Sequence, residues 1–78
     1  MTNRIISLGT ERGKTFSIRE VNKAIRDYAM RRGPLVEFLV LGSTHFHRGT
    51  EVKTRNGNVM VKLLSTGTWE HVRGVMMD

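Results

Sequence analysis

The sequence predicts an α+β fold, a single helix packed on one face of a mostly antiparallel four- to five-stranded sheet, in the order β-α-β-β-β-β. Three stretches predict it. Ser17 to Pro34 has a helical period between a start and a stop signal, Leu35 to Leu41 is a nearly uninterrupted apolar run, and Asn56-Gly57 sits between two alternating segments. Residues 1–78 contain no repeat, linker or low-complexity segment and read as one domain with room for a single core.

Ser17 followed three residues later by Glu20 is a capping box, in which the Ser17 hydroxyl accepts from the Glu20 N–H and the Glu20 carboxylate accepts from the Ser17 N–H. Ile18, Val21, Ala24, Ile25, Tyr28 and Ala29 then gather on one face at about 100° per residue. That face is expected to lie on the sheet. Gly33 is expected to take the left-handed conformation that closes the helix, Pro34 cannot continue it, and Arg31 and Arg32 sit where the macrodipole favours cations. The opposite face carries Arg19, Lys23 and Arg26, with Lys23 and Asp27 spaced for an ion pair and Arg19 and Arg26 lacking an acidic partner on the helix. It reads either as a solvated face or as a contact surface for phosphate or an acidic protein.

Ahead of the helix, Arg4-Ile5-Ile6-Ser7-Leu8 reads as a short strand, and Gly9 to Thr15 as the loop leading into the cap. Gly13-Lys14-Thr15 after a strand looks like a nucleotide-binding loop. Its glycines are separated by three residues where that motif needs four, and the helix is capped at Ser17, beyond the lysine. Too few residues remain for the parallel sheet and acidic metal-binding strand of a nucleotide hydrolase. The loop is read as a connection, with Arg12 and Lys14 as cations that could touch a partner's phosphates.

Beyond the helix, Leu35-Val36-Glu37-Phe38-Leu39-Val40-Leu41 suits a strand that is central or covered on both sides. Gly42 marks a bend, Ser43 to His47 either extends the strand or turns away, and Arg48-Gly49 reads as a turn. Asn56-Gly57 closes a hairpin between Thr50 and Leu64, pairing Arg55 with Asn58, Lys53 with Met60 and Glu51 with Lys62. This register sends Val52, Thr54, Val59, Val61 and Leu63 toward the helix, and Glu51, Lys53, Arg55, Asn58, Met60 and Lys62 to a basic outer face that is expected to stay open. After a turn at Ser65-Thr66-Gly67, Thr68 to Arg73 reads as the last strand, with Trp69, His71 and Arg73 on one face.

Thirteen Lys and Arg against seven Asp and Glu give a formal charge of +6, and nine of the thirteen are arginine, whose planar fork suits phosphate and carboxylate. Such a balance favours polyanionic partners. The absence of cysteine excludes disulfides and Cys-based metal staples and fits a reducing compartment. No apolar run approaches the roughly 18 residues of a membrane span, and Met1 to Ser7 is too short and polar for a signal peptide, so a cytoplasmic protein without a membrane partner is expected. A core of this size rarely supplies more than about 3–5 kcal/mol, so homodimerisation or partner binding would add stability.

His45, His47 and His71, with Glu51 as a fourth ligand, form the only grouping suited to a metal. No acidic second shell accompanies them, and neither a metal nor a cofactor is expected. With no cysteine and no serine in a nucleophile elbow, no enzymatic activity is expected either. Trp69 reads either as core against the helix or as an exposed platform beside Lys53, Arg55 or Arg73, able to stack a base or fill a partner's pocket. The candidate binding surface is therefore Arg19, Lys23, Arg26, Lys53, Arg55, Lys62, Trp69 and Arg73.

In size, lack of cysteine, one-helix-plus-sheet layout and lack of a catalytic motif across all 78 residues, the chain resembles small phage or mobile-element accessory proteins, including anti-CRISPR proteins. The resemblance implies a non-enzymatic inhibitor that binds a host defence complex by surface complementarity, working in the host cytoplasm if the source is viral. Basic charge departs from the acidic, DNA-mimicking version of that strategy. Two functions are expected in competition: an inhibitor whose basic surface occupies a host protein or ribonucleoprotein complex, and a small module that binds nucleic acid directly through phosphates.

Overall fold

A computed structural model of the chain describes residues 8–9 and 15–77. The expected strand at Arg4–Leu8, apart from Leu8, and the cations Arg12 and Lys14 lie outside the described residues. The elements are β1 (Leu8–Gly9), β2 (Thr15–Phe16), α1 (Ile18–Ala29), β3 (Val36–Val40), β4 (Phe46–Arg55), β5 (Asn58–Leu63) and β6 (Trp69–Met77). β1 and β2 pair as a short antiparallel ladder, Leu8 opposite Phe16 and Gly9 opposite Thr15. One helix on antiparallel strands is the expected α+β arrangement.

The helix begins as its capping box dictates. The Glu20 N–H donates to Ser17 Oγ and the Ser17 N–H to Glu20 Oε1, each at 3.1 Å. It ends differently from the expectation. Arg31, not Gly33, takes the left-handed conformation (φ 58°), its N–H donates to Tyr28 O at 2.9 Å, and the Arg32 N–H donates to Asp27 O at 2.7 Å. These two bonds are a Schellman closure. The cap falls at Met30 because Arg31 and Arg32 satisfy the last carbonyls two residues before the glycine. Gly33 serves close approach instead, since a Cβ there would stand 3.0 Å from Asp27 Cβ.

β3, β4, β5 and β6 pair antiparallel in that order, and β6 pairs back onto β3, closing the ring. The expected open outer face is therefore the outside of a small barrel. Register shifts between Leu39 and Val40 and between Gly49 and Glu51 supply the extra coil, because a bulge sharpens local twist and bends its strand. β3 has a strand on each edge, as its continuous apolar run suggested, and it alternates: Val36, Phe38 and Val40 are buried while Glu37 and Leu39 are half-buried.

The turn expected at Arg48-Gly49 is absent, and β4 runs through it. The chain reverses earlier, where Gly42 has φ 82° and the Ser43 N–H donates to Val40 O at 3.1 Å. Gly49 is a packing glycine: a Cβ there would overlap the Val61 side chain and meet the Phe38 ring at 3.0 Å. The hairpin follows its turn chemistry, with Asn56 at φ 52° and Gly57 at φ 81° giving the expected pairs of Arg55 with Asn58, Lys53 with Met60 and Glu51 with Lys62.

The core inside the ring is Val36, Phe38, Val40, Val52, Val61, Leu63 and Val75, joined by Val21 of the helix. Val21, Phe38, Val61 and Val75 have no exposed surface, and each side chain so buried contributes about 1.5–3 kcal/mol against the entropy of ordering it. Ile18, Ala24 and Ile25 pack around Val21 as the helical period required, seating α1 against β3 and β4. No helix among the described residues is long and apolar enough to cross a membrane.

Candidate functional site

The cationic residues singled out from the sequence fall on two adjoining surfaces. One is the flank of α1 that faces β4. Arg19, Asn22 and Arg26 lie at spacings of three and four on the helix, so they follow one another along that flank. Asn22 anchors it: its Nδ2–H donates to Val52 O at 3.0 Å, and the Val52 N–H donates to its Oδ1 at 2.9 Å. An amide side chain thus takes the place of a neighbouring strand along β4. Asn22 escaped the sequence reading, because an asparagine between apolar positions gives no local sign of a distant backbone partner.

Around this anchor, Arg19, Arg26, Val52, Lys53 and Thr54 enclose a groove of about 510 Å³. A second hollow of about 270 Å³ continues along the same helix–β4 boundary, lined by Ile25, Tyr28, Ala29, Gly49 and Leu64, and Arg26 borders both. The Arg48 guanidinium carbon stands 5.0 Å above the Tyr28 ring at this end, a cation–π contact that sequence spacing did not reveal. Lys23 turns to the far flank of the helix, beside Phe16, Pro34 and Met77, and its Nζ pairs with Asp27 Oδ2 at 2.8 Å. It is the one expected surface cation held in an ion pair among the described residues.

The other surface is the outside of β4, β5 and β6. Cross-strand rows bring Glu51, Lys62 and Trp69 side by side, then Lys53, Met60 and His71. Arg55 is exposed at the hairpin end and Arg73 two residues beyond His71. Lys53 crosses β5 to place its Nζ 4.0 Å above the Trp69 ring centroid. Met60, which neighbours Lys53 on the intervening β5, is 7% exposed, although strand alternation put it on the open face. Trp69 is half-buried on this outer surface and stands apart from the buried core cluster. It is neither core against the helix nor a bare platform.

The histidines do not form the expected cluster. His45 lies in the turn before β4, while the His47 ring Nε2 hydrogen-bonds Ser43 Oγ at 2.8 Å. His71 is on β6, and among the described residues no group of three or more His, Asp or Glu is arranged to hold a metal ion. Compared with protein-family models, curated proteins and solved structures, the chain gives no match to any of the three.

Proposed function

We propose that this chain is a non-enzymatic binding protein, an inhibitor of the anti-CRISPR kind in its mode of action. Its basic surface occupies an acidic or nucleic-acid-handling site on a larger host protein or ribonucleoprotein complex in the cytoplasm. The observation that carries the reading is the state of the cations. Arg19, Arg26, Arg55, Lys62 and Arg73 are all exposed, and among the described residues none of them is held in an ion pair. Charges left in water do little for the fold, since even paired surface ions contribute only about 0–1 kcal/mol, so their use is sought in recognition.

Direct nucleic-acid binding is the second reading, and the charge of +6 favours it. The Lys53–Trp69 contact weighs against it. A base stacking on the exposed face of the indole would first have to displace an ammonium 4.0 Å from the ring. A protein surface can instead take Lys53 and Trp69 as the pair they already form.

Immobilised protein, incubated with host lysate before and after nuclease treatment, tests the reading. The expected result is a protein or ribonucleoprotein complex retained after nuclease and lost with charge reversal in either K53E/R55E or R19E/R26E. Capture that disappears with the nucleic acid, or that survives both variants unaltered, contradicts it.

A further inference from the structure

β4 is paired on only part of its helix-side edge. Its ladder with β3 covers Phe46 to Arg48, so from Glu51 to Arg55 that edge has no neighbouring strand among the described residues. The hairpin turn and the Asn22 contact fix which backbone groups face outward there. Arg55 and Asn58 flank a two-residue loop and exchange hydrogen bonds, so Lys53 and Glu51 also point theirs at β5, while Val52 and Thr54 point theirs away. The two bonds from Val52 to Asn22 confirm that phase. Val52 is satisfied by the helix. Thr54, the next rung, presents both an N–H and a C=O to the groove with no partner among the described residues.

The surroundings of that rung are specific. Arg19 and Arg26 border the groove, and seven residues of helix separate them by about 10 Å, the length of about three residues of extended chain. Beyond Arg26 the cleft becomes more apolar, lined by Ile25, Tyr28, Ala29 and Leu64, the last of which is 53% exposed, together with Thr50 and with Arg48 over the Tyr28 ring. A free donor beside a free acceptor matches a polypeptide backbone. A phosphodiester backbone offers acceptors alone, and only its bases carry donors or flat apolar faces.

We propose that the cleft between α1 and the free half of β4 docks an extended, acidic segment of the partner protein, which adds as a short strand at Thr54. Its carboxylates meet Arg19 and Arg26, and an apolar side chain enters the hollow between Ile25, Tyr28 and Leu64. Strand addition of this kind draws affinity from backbone hydrogen bonds and specificity from alternate side chains. The inference rests on the protein-binding function proposed above and assigns that function to one surface.

The test is amide NMR of the ¹⁵N-labelled protein, titrated with an amidated six-residue peptide alternating glutamate and valine. Its glutamine-for-glutamate counterpart and a twelve-nucleotide oligo-dT serve as comparison probes. A saturable shift of the Thr54 amide is expected, at least tenfold weaker with the glutamine peptide and with R19E/R26E; in T54P, which has no amide proton at that position, the accompanying shifts of the Lys53 and Arg55 amides are expected to be lost. R19Q/R26Q provides the same test where the reversed pair fails to fold. Shifts centred on Lys62 and Arg73 with Thr54 unmoved, equal binding of the glutamine peptide, or no saturation up to millimolar peptide would overturn the proposal. In those cases, nuclease-resistant capture lost only in K53E/R55E would leave the protein-binding function standing. Oligo-dT moving the Thr54 amide at lower concentration than the peptide would overturn both.

Discussion

Arg31 carries a backbone conformation that suits glycine better, and the fold holds it there through two hydrogen bonds at the end of α1. The left-handed region costs an ordinary residue about 1–2 kcal/mol, of which glycine's greater unfolded-state freedom would offset part. R31G is therefore expected to stabilise the protein by about 0.5–1 kcal/mol, seen as a rise of several degrees in thermal midpoint. A lower midpoint would mean that the Arg31 side chain contributes something its backbone does not show. Gly49 predicts the opposite sign. G49A should cost about 1–3 kcal/mol in a denaturant titration, because the added methyl would overlap Val61 and press on Phe38 at the centre of the core. Asn22 combines packing with polarity: N22A removes both partners of the Val52 backbone and should cost about 1–3 kcal/mol, with faster hydrogen exchange at the Val52 amide.

Among the elements, the β4–β5 hairpin and the start of α1 were legible because their signals are local. A two-residue Asn-Gly loop sets the register of every pair behind it, and a serine three residues before a glutamate marks a helix start in any context. The helix stop was only half legible. Glycine is the preferred left-handed residue, but here the Schellman bonds come first and arginine pays the strain. Closure of β6 onto β3 left no local trace, since it depends on two bulges and the reach of β6. The Arg48-Gly49 turn was misread for a related reason: glycine signals a reversal and a close approach alike, and only the ring of Phe38 distinguishes them. Of the candidate surface, the residue types were legible and their grouping was not. Whether Arg19 and Lys23 share a groove depends on how far α1 is rolled on the sheet, which Val21 and Asn22 together decide. The Lys53–Trp69 contact across β5 can be examined directly, as Trp69 is the sole tryptophan. K53A is expected to shift its emission to the red, raise acrylamide quenching and cost about 0.5–1 kcal/mol. Unchanged quenching would mean that the lysine does not shield the ring.

At the scale of the whole molecule, closing the ring leaves two cationic surfaces that meet at β4, one along the helix cleft and one across the outside of the sheet. A charge of +6 would draw any polyanion to such a particle at low salt, so weak association alone distinguishes nothing. What separates a protein-binding inhibitor from a nucleic-acid module is the strength of that association and its salt dependence. The most direct measurement is fluorescence anisotropy with labelled duplex and single-stranded DNA and RNA, titrated across salt. Absence of submicromolar affinity for all four, even at low salt, is the predicted result and would direct recognition to a protein surface. Submicromolar binding with a steep negative slope of log K against log salt, lost in K53E/R55E or R19E/R26E, would contradict it and place the chain among proteins that hold nucleic acid directly.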